Sequence, residues 1–273
     1  MNNSFLVFPD IAFGTYKLNN YKKLNAIIEQ CAKHEHYAFD LSPNYGTEKF
    51  IGDALQKVYT NYHLNREKFF LTTKIEITDM VKGTIEKSLD ISLKNLQSDY
   101  IDLLLIHWPY PDYYIEAWKK LEELYTKGKC KAIGICNTQI RHLMPLLQMD
   151  IQPMVVQTEI HPLLTANSIV DFCNNYNIKL QAYSPLCKMI TPIIESPLLQ
   201  NLSLKYHKSI SQIILRWHID RGISPITMTS KVERVSDNLN IFDFSITQEE
   251  INEINKMNID FHNFPESLSC PGY

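Results

Sequence analysis

A closed (β/α)8 TIM barrel is the fold this α/β sequence predicts, and three observations predict it. Eight short apolar segments alternate with longer helical ones. The alternation fits within 273 residues, an ordinary length for one barrel domain. No glycine-rich turn follows the first strand, which disfavours a doubly wound dinucleotide-binding sheet, the competing parallel fold. The chain is therefore read as a single barrel domain over residues 1–273.

The elements follow in order. Residues 5–8 are apolar and are expected to form half of a short N-terminal hairpin at the barrel bottom. The first barrel strand is read at 11–13, the second at 38–41 and the third at 69–74. The fourth covers 101–107, where Ile101-Asp-Leu-Leu-Leu-Ile106 is apolar almost throughout, as suits a parallel strand buried on both faces. Strands five to eight are read at 132–136, 154–157, 179–183 and 224–227. Helices are expected over 21–33, 48–59, 81–96, 114–127, 140–147, 167–175, 197–220, 232–239 and 248–257, with a break near His207. Gly128 and Gly222 stand just before strands five and eight, where the preceding helices must stop.

Bulk composition excludes several classes. The net charge of −3, from 27 basic and 30 acidic residues, lacks the basic surplus of a nucleic-acid binder. No apolar run approaches the ~18–20 residues of a membrane span. The opening MNNSFLVFPD has neither the basic region nor the apolar core of a secretion signal. Six cysteines form no C-x-x-C pair, so neither structural zinc nor a disulfide framework is expected. The expectation is a cytoplasmic monomer with no membrane or nucleic-acid partner and no metal. The eight glycines contain neither G-x-G-x-x-G nor a P-loop. A nucleotide would have to be held without either loop.

Reactive groups of a barrel gather at the C-terminal ends of its strands. The second strand carries Asp40, with Tyr45 five residues on; the third ends in Lys74 and the fourth in His107. Taken singly, each has an ordinary structural explanation in a turn, in packing or in solvent. Together they make chemical sense. A free phenol, with a pKa near ~10, is a poor proton donor at neutral pH. A neighbouring ammonium favours its ionised form, a carboxylate can hold that ammonium, and an imidazole can hydrogen-bond a substrate oxygen. The set suits protonation of a carbonyl oxygen while hydride arrives at carbon.

Longer motifs surround these residues: Gly14-Thr-Tyr-Lys-Leu18, Asp40-Leu-Ser-Pro-Asn-Tyr-Gly-Thr-Glu48, Leu103-Leu-Leu-Ile-His-Trp-Pro109, Gly134-Ile-Cys-Asn137, Gln157-Thr-Glu-Ile-His-Pro162 and Ala182-Tyr-Ser-Pro-Leu186. With them the chain resembles the aldo-keto reductase family, in particular its bacterial-type, short-loop members, from about residue 5 to 260. The resemblance implies Tyr45 as general acid, Lys74 and Asp40 as its supporting pair and His107 as the group that orients the carbonyl. It implies Cys136, Asn137 and Gln157 at the nicotinamide carboxamide, Tyr183 stacked on the nicotinamide ring, and Ser184 and Leu186 at the pyrophosphate. Asp40 and Thr15 would lie near the cofactor, Thr15 by its ribose. Thr229, Arg234 and Asn238 would serve the adenine end, and Tyr16 and Trp108 would wall the substrate pocket.

Departures from the family pattern carry information too. Met228 stands where a lysine usually contacts the 2′-phosphate of NADPH. The expected cofactor is therefore NADPH with a weakened preference that admits NADH. Cys136 replaces a serine and Cys187 a glycine; Leu41 and Ser42 replace Thr-Ala. The function implied is NAD(P)H-dependent reduction of a small aldehyde or ketone. The alternative is a nucleotide-binding sensor or partner subunit on the same barrel, with little turnover.

Overall fold

A computed structural model describes residues 6–18 and 20–264. Eight parallel strands close into a barrel in sequence order: β1 (Ala12–Gly14), β2 (Ala38–Asp40), β3 (Phe70–Ile75), β4 (Leu103–Ile106), β5 (Ile133–Cys136), β6 (Val155–Glu159), β7 (Lys179–Tyr183) and β8 (Ile223–Thr227). β1 pairs with both β2 and β8, with Gly14 opposite Asp40 and Phe13 opposite Thr227. Among the described residues, no helix is long and apolar enough to cross a membrane.

Side chains alternate across each strand. Outward-facing Phe13, Phe39, Leu71, Leu104, Ile133 and Val156 join the helices in the main core. Leu103, Leu105, Ala132 and Val155 fill the barrel interior. Gly134 lets β5 approach β6: a Cβ there would lie 2.3 Å from the Val155 carbonyl oxygen. Gly52 does the same for the helix Glu48–Tyr62, whose backbone meets Asn95 and Leu96 of the helix Ile85–Leu96.

The hairpin expected over 5–8 does not form in its described part, because residues 6–8 carry no strand; Phe5 lies outside the described residues. The alternation is still used. Leu6 and Phe8 pack into the barrel bottom against the interior cluster while Val7 is exposed. The Pro9 carbonyl accepts a hydrogen bond from Ser224. The barrel floor buries this apolar face, so no pairing strand is needed to cover it.

Helices 21–33 and 167–175 match their expected bounds, and the long run after Pro197 breaks at His207 (φ 53°) into Pro197–Tyr206 and Ile210–Asp220. The expected helix 81–96 is two helices, Ile77–Lys82 and Ile85–Leu96. Gly83 separates them at φ 65°, a left-handed stop that favours glycine.

Candidate active site

At the C-terminal end of the barrel the apolar interior gives way to a layer of polar side chains. Asp40 follows Ala38 by two residues, Lys74 follows Thr72 and Gln157 follows Val155, so strand alternation turns all three inward. Lys74 is 1 % exposed. Its Nζ donates to Asp40 Oδ1 at 2.6 Å and to the Leu41 carbonyl at 2.8 Å. The second Asp40 oxygen accepts from Gln157 Nε2 at 2.8 Å, and Gln157 also donates to Gln181 at 3.1 Å. Asp40 is thus pinned through both oxygens.

Tyr45 sits on the single-turn helix Pro43–Tyr45 just beyond β2. Lys74 Nζ lies 5.0 Å from the centre of its ring. The His107 ring meets it edge-on at 6.1 Å, and Tyr16 flanks it at 5.2 Å. The four residues expected to act together are brought together. Tyr16 is exposed beside this group, and Trp108, next in sequence to His107, is half-buried.

The electrostatics depart from the sequence expectation in one respect. Burial pushes the Tyr45 phenol above its ordinary pKa, and this outweighs the downward pull of Lys74. The net result is a phenol that keeps its proton at neutral pH while an ammonium waits beside the oxygen. Burial alone would discharge Lys74, but Asp40 holds it charged well above the usual lysine value. Burial also raises the Cys136 and Cys187 thiols, so both are protonated and poorly nucleophilic.

The cofactor positions fall into three groups. Thr15 is fully buried, and its hydroxyl donates to the Asp40 carbonyl at 3.0 Å. Its side chain supports β2. Gln157 and Cys136 are buried, with the Cys136 thiol 3.6 Å from Gln157 Oε1. Asn137 donates to the His107 carbonyl at 2.9 Å and accepts from the Tyr183 hydroxyl at 2.7 Å. Asn137 thereby ties His107 to Tyr183, whose ring is half-buried at the mouth. Ser184, at φ 49°, and half-buried Leu186 form the loop beyond it.

Across the rim, after β8, Thr229 accepts from the Lys231 backbone at 3.1 Å. Arg234 and Lys231 are exposed, and neither forms an ion pair with a described residue. Asn238 is buried, with no side-chain hydrogen bond to a described residue. Lys231 and Arg234 thus leave two exposed cations on this rim. Met228 is 47 % exposed on the same rim.

One residue escaped the sequence reading. Glu76 follows Lys74 by two positions, just beyond β3, and is buried. Its carboxylate accepts from Ser42 Oγ, from Asn44 Nδ2 at 2.5 Å and from His107 Nδ1 at 2.9 Å. The available signal was the continued period of two, Thr72, Lys74, Glu76, past the expected strand end.

The model of the aldo/keto reductase family matches residues 10–190 and 195–259. The glyoxal reductase of Bacillus subtilis (strain 168) is 35 % identical over 92 % of this chain and 90 % of its own length. The methylglyoxal reductase DkgA of Escherichia coli (strain K12) is likewise 35 % identical, with the same shares of the two chains covered. Among solved structures, an aldo-keto reductase from a Medee basin deep-sea metagenome library superposes with a TM-score of 0.90 at 33 % identity, covering 96 % of both chains. An aldo-keto reductase of Bombyx mori in complex with NADP gives 0.92 at 28 % identity, covering 99 % of this chain and 96 % of its own.

Proposed function

The chain belongs to the aldo/keto reductase family, and on that premise we propose that it reduces small aldehydes or ketones to alcohols with NADPH, using Tyr45 as the acid. The observation that carries this reading is the Asp40–Lys74–Tyr45–His107 cluster, in which a buried charged lysine stands beside a protonated phenol. When bound, the reduced nicotinamide supplies the hydride that the carbonyl carbon takes up.

The residues do the rest. His107 holds the carbonyl oxygen toward Tyr45. Tyr45 gives its proton to that oxygen as negative charge builds there. The phenolate that remains is stabilised by Lys74, whose position is fixed by Asp40 and the Leu41 carbonyl. Asn137, Gln157 and Tyr183 form the nicotinamide side of the mouth, and Arg234, Asn238 and Thr229 the adenine side. The small-carbonyl class is supported by two relatives, a glyoxal reductase and a methylglyoxal reductase.

The exposed thioether of Met228 cannot neutralise a 2′-phosphate. Loss of one charge-assisted contact costs about 1.5–3 kcal/mol, or roughly tenfold to a hundredfold in affinity. We therefore propose that NADPH preference is modest and that NADH serves as a second cofactor. Following NADPH and NADH oxidation with a reactive aromatic aldehyde and with methylglyoxal tests the reading. Turnover with either cofactor is expected. Tight cofactor binding with no turnover across a carbonyl panel would return the chain to the sensor reading.

A further inference from the structure

Glu76 joins two parts of the site that come from different strands. Ser42 and Asn44, which bond its carboxylate, bracket the turn that presents Tyr45. His107, at the end of β4, places Nδ1 2.9 Å from each of the two Glu76 oxygens. A carboxylate with both oxygens this close to one ring nitrogen requires that nitrogen to carry a proton. We propose that Glu76 is a positioning residue of the reduction site, fixing the Nδ1 proton of His107 so that Nε2 can donate to a carbonyl only when the ring is doubly protonated.

This inference rests on the reductase reading and goes beyond it. With Nδ1–H held by Glu76, a neutral His107 presents a lone pair on Nε2 and can only accept. Donation to a carbonyl oxygen then needs an imidazolium, which is a stronger, charge-assisted donor. The working form of the site is therefore a His107–Glu76 ion pair set against the oxygen that Tyr45 protonates. His107 transfers no proton in this scheme. It stabilises the developing charge and aligns the oxygen.

Burial pushes the Glu76 carboxyl upward, but the bonds from His107 and Ser42 and the Lys74 charge outweigh it, so the group stays ionised. The other titratable groups around the pair are Tyr45 from the turn after β2, Asp40 on β2, Lys74 on β3, Cys136 on β5 and Glu48 at the start of the helix Glu48–Tyr62, whose carboxyl burial pushes upward. Among them Asp40 and Lys74 already compensate each other, which leaves Glu76 as the counter-charge for the ring.

The test reads the ring directly. Proton–nitrogen correlation spectra of the histidine-labelled full chain, with His107→Asn to assign the signals, report which nitrogen is protonated across pH. The neutral ring of the parent is expected to carry its proton on Nδ1. Glu76→Leu is expected to shift the neutral ring to the Nε2–H form. In that variant kcat with an aromatic aldehyde at saturating NADPH should fall about tenfold to a hundredfold, with cofactor affinity changed by less than about twofold. Glu76→Gln retains an acceptor oxygen. It should keep Nδ1–H and lose less activity than Glu76→Leu, and it carries the test should Glu76→Leu not fold. A neutral parent ring with Nε2–H, or variants with the parent's ring signals and kcat, would overturn the proposal. If the parent reduces no carbonyl, the reductase reading fails by itself, and the ring spectra still decide what Glu76 does.

Discussion

Asp40 at the barrel mouth and Asp102 at its floor each hold a cation in a buried ion pair, at 2.6 Å from Lys74 and 2.7 Å from Arg66. The floor pair is saturated. Arg66 donates to Ser98, to the carbonyls of Phe69 and Tyr100 and to Asp102, and stacks 4.2 Å over the Tyr100 ring. Asp102 also accepts the Leu71 backbone N–H and faces Lys131. At the mouth, Lys74 makes two strong bonds and keeps its remaining donor capacity for the phenol beside it. The same ion-pair chemistry thus clamps strands at one end of the barrel and leaves a charge available for work at the other.

Breaking each pair should separate the two roles. Lys74→Met strands Asp40 in a buried site, which costs roughly 3–5 kcal/mol, and removes the charge that supports the phenolate. A fall in kcat of about a hundredfold is expected in the protein that remains folded. Arg66→Met leaves Asp102 with Lys131 and the Leu71 N–H, so it should cost less, about 1–3 kcal/mol, and leave kcat of the folded protein unchanged. Urea unfolding and initial rates on both variants provide the check. A rate loss in Arg66→Met as large as that in Lys74→Met would erase the distinction.

Acid should sharpen the contrast. Burial pushes the ring of His36, between the first helix and β2, down to about 4. It is neutral when folded and charges near pH ~6.5 when unfolded. Its contribution to stability is therefore complete above pH ~6.5 and declines as pH falls toward 4. At pH 5 the loss is about 2 kcal/mol, and His36→Phe should remove that part of the slope in urea midpoints. No change of slope would assign the acid loss elsewhere. The smallest effect concerns the rim. Met228→Lys should raise NADPH affinity about tenfold and leave NADH affinity unchanged, as read by fluorescence quenching. A parent that already prefers NADPH several hundredfold would remove the argument from Met228.

The barrel and the polar cluster at its mouth were largely legible in the sequence because both follow strand alternation. Asp40 and Lys74 occupy the last inward positions of their strands and Gln157 the next to last of β6, where polar residues among apolar ones mark them at once. Glu76 was not legible, because an acidic residue between a strand and a helix reads as a helix start, and its partners Ser42, Asn44 and His107 lie 34, 32 and 31 residues away. Thr15 lies beside the strand end that carries Asp40, yet its hydroxyl bonds the backbone of β2. Local sequence could not reveal that choice, because it depends on how closely β1 and β2 approach. The stop at Gly83 is visible in the residue itself, but apolar spacing that continues on both sides masks it.

The central claim is that Tyr45 delivers the proton while Lys74 stabilises what remains. Its most direct test is Tyr45→Phe, measured beside the parent for NADPH oxidation with a reactive aldehyde and for NADPH binding. The account predicts unchanged cofactor affinity with kcat lowered about 10²- to 10⁴-fold. Full activity in Tyr45→Phe would contradict it.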